Sequence, residues 1–272
     1  MRALCWGPTD ADRALITGAL TAELGAVLEH TVRSKTICLL AAYLHDTQVP
    51  ELDRATTRFF DSTLRTNRYK TDAYRRAAVA VTAALRNAGV PVVVLGRLSV
   101  EHTLYRSTGA RQFSDIDLLA AAEDIARAPA ALRGQGYQPG RGSGTWTRRT
   151  GDPIAPLIVL DLATTLPHSG TGNVTELMAR HTDISFPQHD RPLPVLAPPD
   201  ALSHTLAQLG ATTPPKAGRR WLLAADAIRH SRVTSPPSPH HAAVLAGWAA
   251  LRSHWPLLPA APTHLPTSKE NR

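Results

Sequence analysis

The stretch "RQFSDIDLLAA", residues 111–121, sets two aspartates, Asp115 and Asp117, one residue apart at the polar mouth of an apolar run. Successive side chains of a strand alternate between faces, so the two acids share a face while Ile116 and Leu118 turn toward a core. Two carboxylates about 4 Å apart repel by roughly 4 kcal/mol at an effective dielectric near 20. Full exposure to water, a shared proton or a hard divalent cation would each offset that repulsion, and Mg²⁺ favours carboxylate, water and phosphate oxygens. A third acid, Asp161, ends the run "LIVLD" at residues 157–161, on a strand that could lie beside the first.

The neighbouring segments frame this strand. From about Asp10 to Val90 the spacing is helical, through Leu15, Leu20, Leu24 and Leu28, then "TICLLAAYLHD", then "AYRRAAVAVTAALRNAGV", with Asn87, Ala88 and Gly89 as a stop. The β-branched run "VPVVVLGR" (90–97) reads as a buried strand ending in glycine, followed by a helix over "LSVEHTLYRS" and a loop over "TGARQF". "EDIARAPAALRGQGY" reads as a helix that Pro129 kinks or breaks, and "GTWTRRT" and "PLIVLDLATTL" as strands joined by a turn at Gly151, Asp152 and Pro153. The predicted order is strand, helix, strand, helix, strand, strand, with mixed pairing. Helices return in "DALSHTLAQLG", "GRRWLLAADAIRHSR" and "HHAAVLAGWAALRSHW", and the tail "PLLPAAPTHLPTSKENR" has a disorder-promoting composition. The fold class expected is α/β (α+β): a small mixed sheet flanked by N-terminal and C-terminal helical segments. The boundaries expected are 1–72 for the first helical segment, 73–195 for the core, 196–255 for the second helical segment and 256–272 for the tail.

Composition narrows the classes. The 272 residues are 43% hydrophobic but only 5% aromatic, so Ala, Leu and Val must build the interior. The net charge of +8, carried overwhelmingly by arginine, suits a polyanionic partner or reflects a GC-rich genome, and charge alone does not decide between them. Two cysteines, Cys5 and Cys38, exclude a disulfide framework, and no stretch approaches the roughly 18 apolar residues of a membrane span. A soluble cytoplasmic protein is expected.

"VVVLGRLSVEHTLYRSTGARQFSDIDLLAAAEDIARAPAALRGQGY", with "LIVLDLATTL" and "GRRWLLAADAIRHS", resembles a bacterial family of uncharacterised nucleotidyltransferases within the polymerase-β-like superfamily, over roughly residues 75–232. The resemblance implies a Mg²⁺-dependent transferase that moves a nucleoside monophosphate from a nucleoside triphosphate, with ATP the expected one, to an acceptor hydroxyl or phosphate. It implies two Mg²⁺ ions on Asp115 and Asp117, with Asp161 completing the site and helping to deprotonate the acceptor. Arg111 matches an arginine of the family pattern and is expected either to offset phosphate charge or to steady its loop through a salt bridge. The acceptor expected is a small molecule, with RNA or a protein as alternatives.

The sequence departs from that pattern where Leu, Lys, Gly follow the first strand: here stand Leu95, Gly96 and Arg97. Glycine lets backbone amides approach a triphosphate. An arginine in its place obstructs that approach unless the loop slips by one residue, when Arg97 could supply phosphate-binding charge. The alternative is a degenerate member that binds a nucleotide or a partner without transferring anything. Gly96, Arg97, Ser99 and Arg111 are therefore the expected nucleotide-contacting residues, with Ser99 and Ser114 also able to serve as caps.

Other signals point elsewhere. "GRGSGTWTRRTG" lacks both the GK[ST] phosphate loop and a GxGxxG entering a helix, and reads as a hairpin or loop whose Arg141, Arg148 and Arg149 could touch an anionic acceptor. His240 and His241 form no zinc motif, His204 and Asp226 suit helix-to-helix packing, and Arg219 and Arg220 beside Trp221 suit a helix edge. No GxSxG elbow is present, and Cys38 in "TICLLAA" reads as core.

Overall fold

The computed structural model describes residues 10–47, 52–106, 108–166, 174–187, 189, 191–211, 217–234 and 242–254. His240, His241 and the tail from residue 256 lie outside the described residues.

Three helices come first among the described residues: α1 (Asp10–Arg33), α2 (Ile37–Thr47) and α3 (Arg54–Asn87). Asp53 caps α3, its carboxylate accepting from the backbone amides of Ala55 and Thr56 at 2.8 and 3.0 Å. Then follow β1 (Val92–Leu95), α4 (Arg97–Thr103), β2 (Ile116–Ala120), a 3₁₀ turn (Ile125–Arg127), α5 (Ala128–Gly134), β3 (Gln138–Pro139), β4 (Thr145–Arg149) and β5 (Leu157–Ala163). The chain continues through α6 (Val174–Ala179), β6 (Thr182–Ile184), β7 (Leu193–Val195), α7 (Pro198–Ala211), α8 (Ala217–Val233) and α9 (Ala242–His254). Pro129 does not kink a long helix. It sits in the first turn of α5, where a missing amide costs no hydrogen bond.

The strands form one mixed sheet of seven, in the order β3-β4-β5-β2-β1-β7-β6. β1 runs antiparallel to β2 and parallel to β7, and β2 runs parallel to β5. Strands β3, β6 and β7 were not anticipated: they are two or three residues long and carry no period that sequence could display.

Alternation divides the sheet into two faces. Val92, Val94, Ile116, Leu118, Ile158 and Leu160 pack with Tyr74, Ala78, Val81 and Leu85 of α3 and with Leu132 of α5. On the opposite face Val93, Leu95, Leu119 and Leu196 form a smaller cluster with Val174 and Met178. A separate cluster joins the two ends of the chain, with Leu39, Leu40, Phe60 and Leu64 meeting Leu202, Leu206, Ile228 and Trp248. Within it Gly247 of α9 lies directly against the Leu206 carbonyl of α7, with no room for a β-carbon. Gly247→Ala must push the two helices apart, and we expect a loss of about 1 to 3 kcal/mol in denaturant unfolding.

Candidate active site

The opening of β2 and the middle of β5 deliver the acids. Parallel pairing sets Asp117 opposite Asp161 in register, and antiparallel pairing sets Leu95, the last residue of β1, opposite Asp117. Asp115 precedes the first residue of β2 yet reaches the same side. One carboxylate oxygen from each of Asp115, Asp117 and Asp161 lies within 4.8 Å of the others, and all three side chains are partly buried. Three carboxylates make an all-oxygen donor set, the type that hard divalent cations take. Oxygens on one octahedral Mg²⁺ stand about 3 to 4.2 Å apart, so small side-chain adjustments suffice for a shared ion.

Each acid has a different neighbour. Asp115 accepts from the Arg97 guanidinium at 2.6 Å, with the paired side chains 23% and 20% exposed. Asp161 accepts from the Thr145 hydroxyl at 2.6 Å, across the β4–β5 ladder that pairs these residues. Asp117 has no direct counterion among the described residues. Burial first, and then the negative charge of Asp115, push its carboxyl up to about 6, with Arg97 and Arg111 pulling the other way and Asp161 adding to the rise. Burial works against the charge on Arg97, but Asp117 and Asp115 outweigh it and hold the guanidinium above its ordinary range.

The turn between β1 and α4 faces this trio. Gly96 has φ 56° and ψ −120°, a conformation open to glycine alone, and a β-carbon there would stand 4.0 Å from Asp117 Oδ2. The positive φ thus falls one residue earlier than the glycine of the family pattern, and Arg97 opens the helix. Ser99 donates its hydroxyl to the Gly96 carbonyl at 2.7 Å, so it pins the turn.

Arg111 is bonded to none of the three acids, although its charge still acts on Asp117. Its guanidinium clasps Asp226 of α8 with contacts of 2.9, 2.9 and 2.7 Å, both side chains 3% exposed. Tyr105 donates to the same carboxylate at 2.9 Å. Asp226 was expected to bond from helix to helix; its partners are instead Arg111 in the loop before β2 and Tyr105 in the turn after α4. His204 is likewise buried in α7, 3.0 Å from Gln208. Cys38 is buried, and burial pushes its thiol up to about 12, far from a nucleophile's range.

Several residues near the site carried no signal in the sequence. Glu101, fully buried, accepts from the backbone amides of Gly109 and Arg111 at 2.6 and 2.8 Å; burial lifts its carboxyl to about 7 against those two bonds and the charges of Arg111 and Arg75. Asn67 donates to the carbonyls of Gly109 and Arg111, Lys70 to that of Phe113 at 3.0 Å, and Tyr74 to that of Ser114 at 2.9 Å. These contacts run along α3 and fix the loop that launches Asp115. Thr145 meets Asp161 only through the register of β4 with β5.

The profile of the family described as "Uncharacterised nucleotidyltransferase" matches residues 22–235. The chain belongs to this family. Among solved structures it is similar to an antigenic nucleotidyltransferase-like protein from Paracoccidioides brasiliensis, at 14% identity and a TM-score of 0.51, over 68% of this chain and 89% of that one. That likeness concerns the fold. No match is found among curated proteins. The family and the fold together support a general nucleotidyltransferase role, and the acidic trio is a group that could hold a metal.

Two expectations follow from the electrostatics. A carboxyl whose folded value is raised binds its proton more tightly in the folded state, so its contribution is greatest at low pH and is lost as pH rises from about 4 through about 6. Asp117→Asn should therefore stabilise the metal-free protein at pH 7.5 by on the order of 2 kcal/mol, and by much less at pH 4.5, in urea unfolding with chelator present. Asp226→Ala strands a buried guanidinium and should cost roughly 3 to 5 kcal/mol in the same assay.

Proposed function

We propose that this protein is a Mg²⁺-dependent nucleotidyltransferase that moves a nucleoside monophosphate from a nucleoside triphosphate, with ATP the first candidate, to an acceptor hydroxyl or phosphate. The observation that carries the reading is the convergence of Asp115, Asp117 and Asp161 on one side of the sheet of a nucleotidyltransferase-like fold. Asp115 and Asp117 would hold two Mg²⁺ ions against the triphosphate, and Asp161 would complete the set. The bound ions would polarise the α-phosphate and offset charge on the attacking and leaving oxygens.

The chain's own residues supply the remainder. Thr145 holds Asp161 Oδ1, which leaves Oδ2 free to take the acceptor's proton. Gly96 presents a turn without a side chain beside Asp117, which leaves room for a phosphate there. Arg97 brings positive charge to the same spot. As the acceptor oxygen bonds to the α-phosphorus, the bond to the pyrophosphate oxygen breaks. A small-molecule acceptor is the reading adopted, with RNA or a protein the alternatives. No helix among the described residues is long and apolar enough to cross a membrane. A cytoplasmic setting, where triphosphates and Mg²⁺ occur together, belongs to the same proposal.

The ion pair between Arg97 and Asp115 favours a second reading, in which the arginine permanently takes a metal's place and the protein binds a nucleotide without transferring it. Purified protein incubated with each triphosphate, Mg²⁺ and a panel of acceptors separates the two. Transfer predicts pyrophosphate release that falls about a thousandfold or more in Asp117→Ala and in Asp161→Ala, with circular dichroism unchanged. Binding of the triphosphate with no pyrophosphate from any acceptor would favour the second reading, and equal turnover in wild type and both variants would defeat the first.

A further inference from the structure

Of the cations near the acidic trio, two are already committed. Lys70 donates to the Phe113 carbonyl and Arg111 is clasped by Asp226, and neither donates to Asp115, Asp117 or Asp161. Arg97 is different: among the described residues it is the cation bonded directly to one of the three acids, at 2.6 Å. Its backbone is fixed at the start of α4, where the Val100 amide returns to the Gly96 carbonyl at 3.0 Å and Ser99 closes the same turn. Its side chain is 23% exposed, and a change in its side-chain torsions alone would carry the guanidinium from Asp115 to a bound phosphate.

A divalent ion on the other oxygen of Asp115 would come within about 5 Å of that guanidinium. Two like charges so close, in a partly buried site, oppose one another, and either the metal binds weakly or the arginine leaves. An arriving triphosphate changes the balance, since it brings several negative charges and oxygens that a guanidinium can grip in pairs.

Resting on the transferase reading above, we propose that Arg97 is a resident counterion for Asp115 that is handed to the triphosphate, so that divalent metal and nucleotide bind as a coupled pair and metal alone binds poorly. Coupling of this kind is reciprocal: metal strengthens nucleotide binding by the same factor as nucleotide strengthens metal binding. It also gives Gly96 and Arg97 a joint purpose, glycine taking the positive-φ position so that arginine stands first in the helix, beside the acids.

Calorimetric titrations with Mg²⁺ alone, with a non-hydrolysable ATP analogue alone, and with each in the presence of the other test the handover. Arg97→Gln should bind Mg²⁺ alone about tenfold more tightly than wild type and, with Mg²⁺ present, the analogue about tenfold more weakly, and these opposite shifts should nearly abolish the coupling. Arg97→Lys keeps the charge and should retain part of the coupling, while thermal melts establish that both variants fold. A merely structural role would weaken both ligands together. Asp117-dependent Mg²⁺ binding that is no tighter in Arg97→Gln would overturn the handover and leave the transferase reading standing. Absence of Mg²⁺ binding in every form, with and without the analogue, would overturn both.

Discussion

Asp117 and Asp161 stand side by side on adjacent parallel strands, and the molecule has to hold them there against their mutual repulsion. Nothing local to either strand requires the arrangement. It follows from burying Ile116, Leu118, Leu160 and Leu162 on the opposite face, since a slip of one residue in a strand would take its apolar side chains out of that core and turn its acid into it. Hydrophobic alternation thus fixes the register, and the register fixes the distance between the acids. Asp115, outside the ladder, joins them because the loop before β2 is tied down elsewhere.

That loop is where the helical ends of the chain act on the site. Its backbone is gripped by Asn67, Lys70 and Tyr74 of α3 and by Glu101 of α4, and its Arg111 is anchored to Asp226 of α8. A buried arginine and aspartate of this geometry contribute little to net stability compared with an apolar pair, but leaving either unpaired is costly. The pair therefore acts as a positioning device that a packing error cannot satisfy. The helices at both ends of the chain share one apolar cluster, so residues far apart in sequence hold the loop in common.

How much of this was legible in the sequence depends on the range of the interactions involved. The acids were legible because a strand period of two is short-range, and so were β1, β4, β5 and the long helices, each with enough residues to show its pattern. Strands β6 and β7 were not, since three residues carry no period, and β7 enters the sheet only through a parallel contact with β1 some 100 residues earlier, Val94 to Val195. Arg111 could be given two partners, phosphate or a salt bridge, but the sequence could not name Asp226 across 115 positions. Glu101 and Thr145 belong to the same class: ordinary residues whose roles exist only after the chain has closed on itself.

The two residues that depart from the family pattern are explained by one backbone fact. At φ 56° and ψ −120°, position 96 admits glycine and strains any other residue, so a lysine there would require a different turn. With glycine at 96 the positive charge moves to 97, the first residue of α4, and from there it reaches Asp115. An exchange of two side chains thus moves the cation, and the positive-φ glycine with it, by one position each. Whether that cation faces a phosphate or a carboxylate is then set by what else is bound, because a guanidinium between an acid trio and a triphosphate goes to whichever carries the greater uncompensated charge. Two divalent ions among the carboxylates would transfer that excess to the phosphates, and the same residue that neutralises the empty site would become a ligand of the filled one.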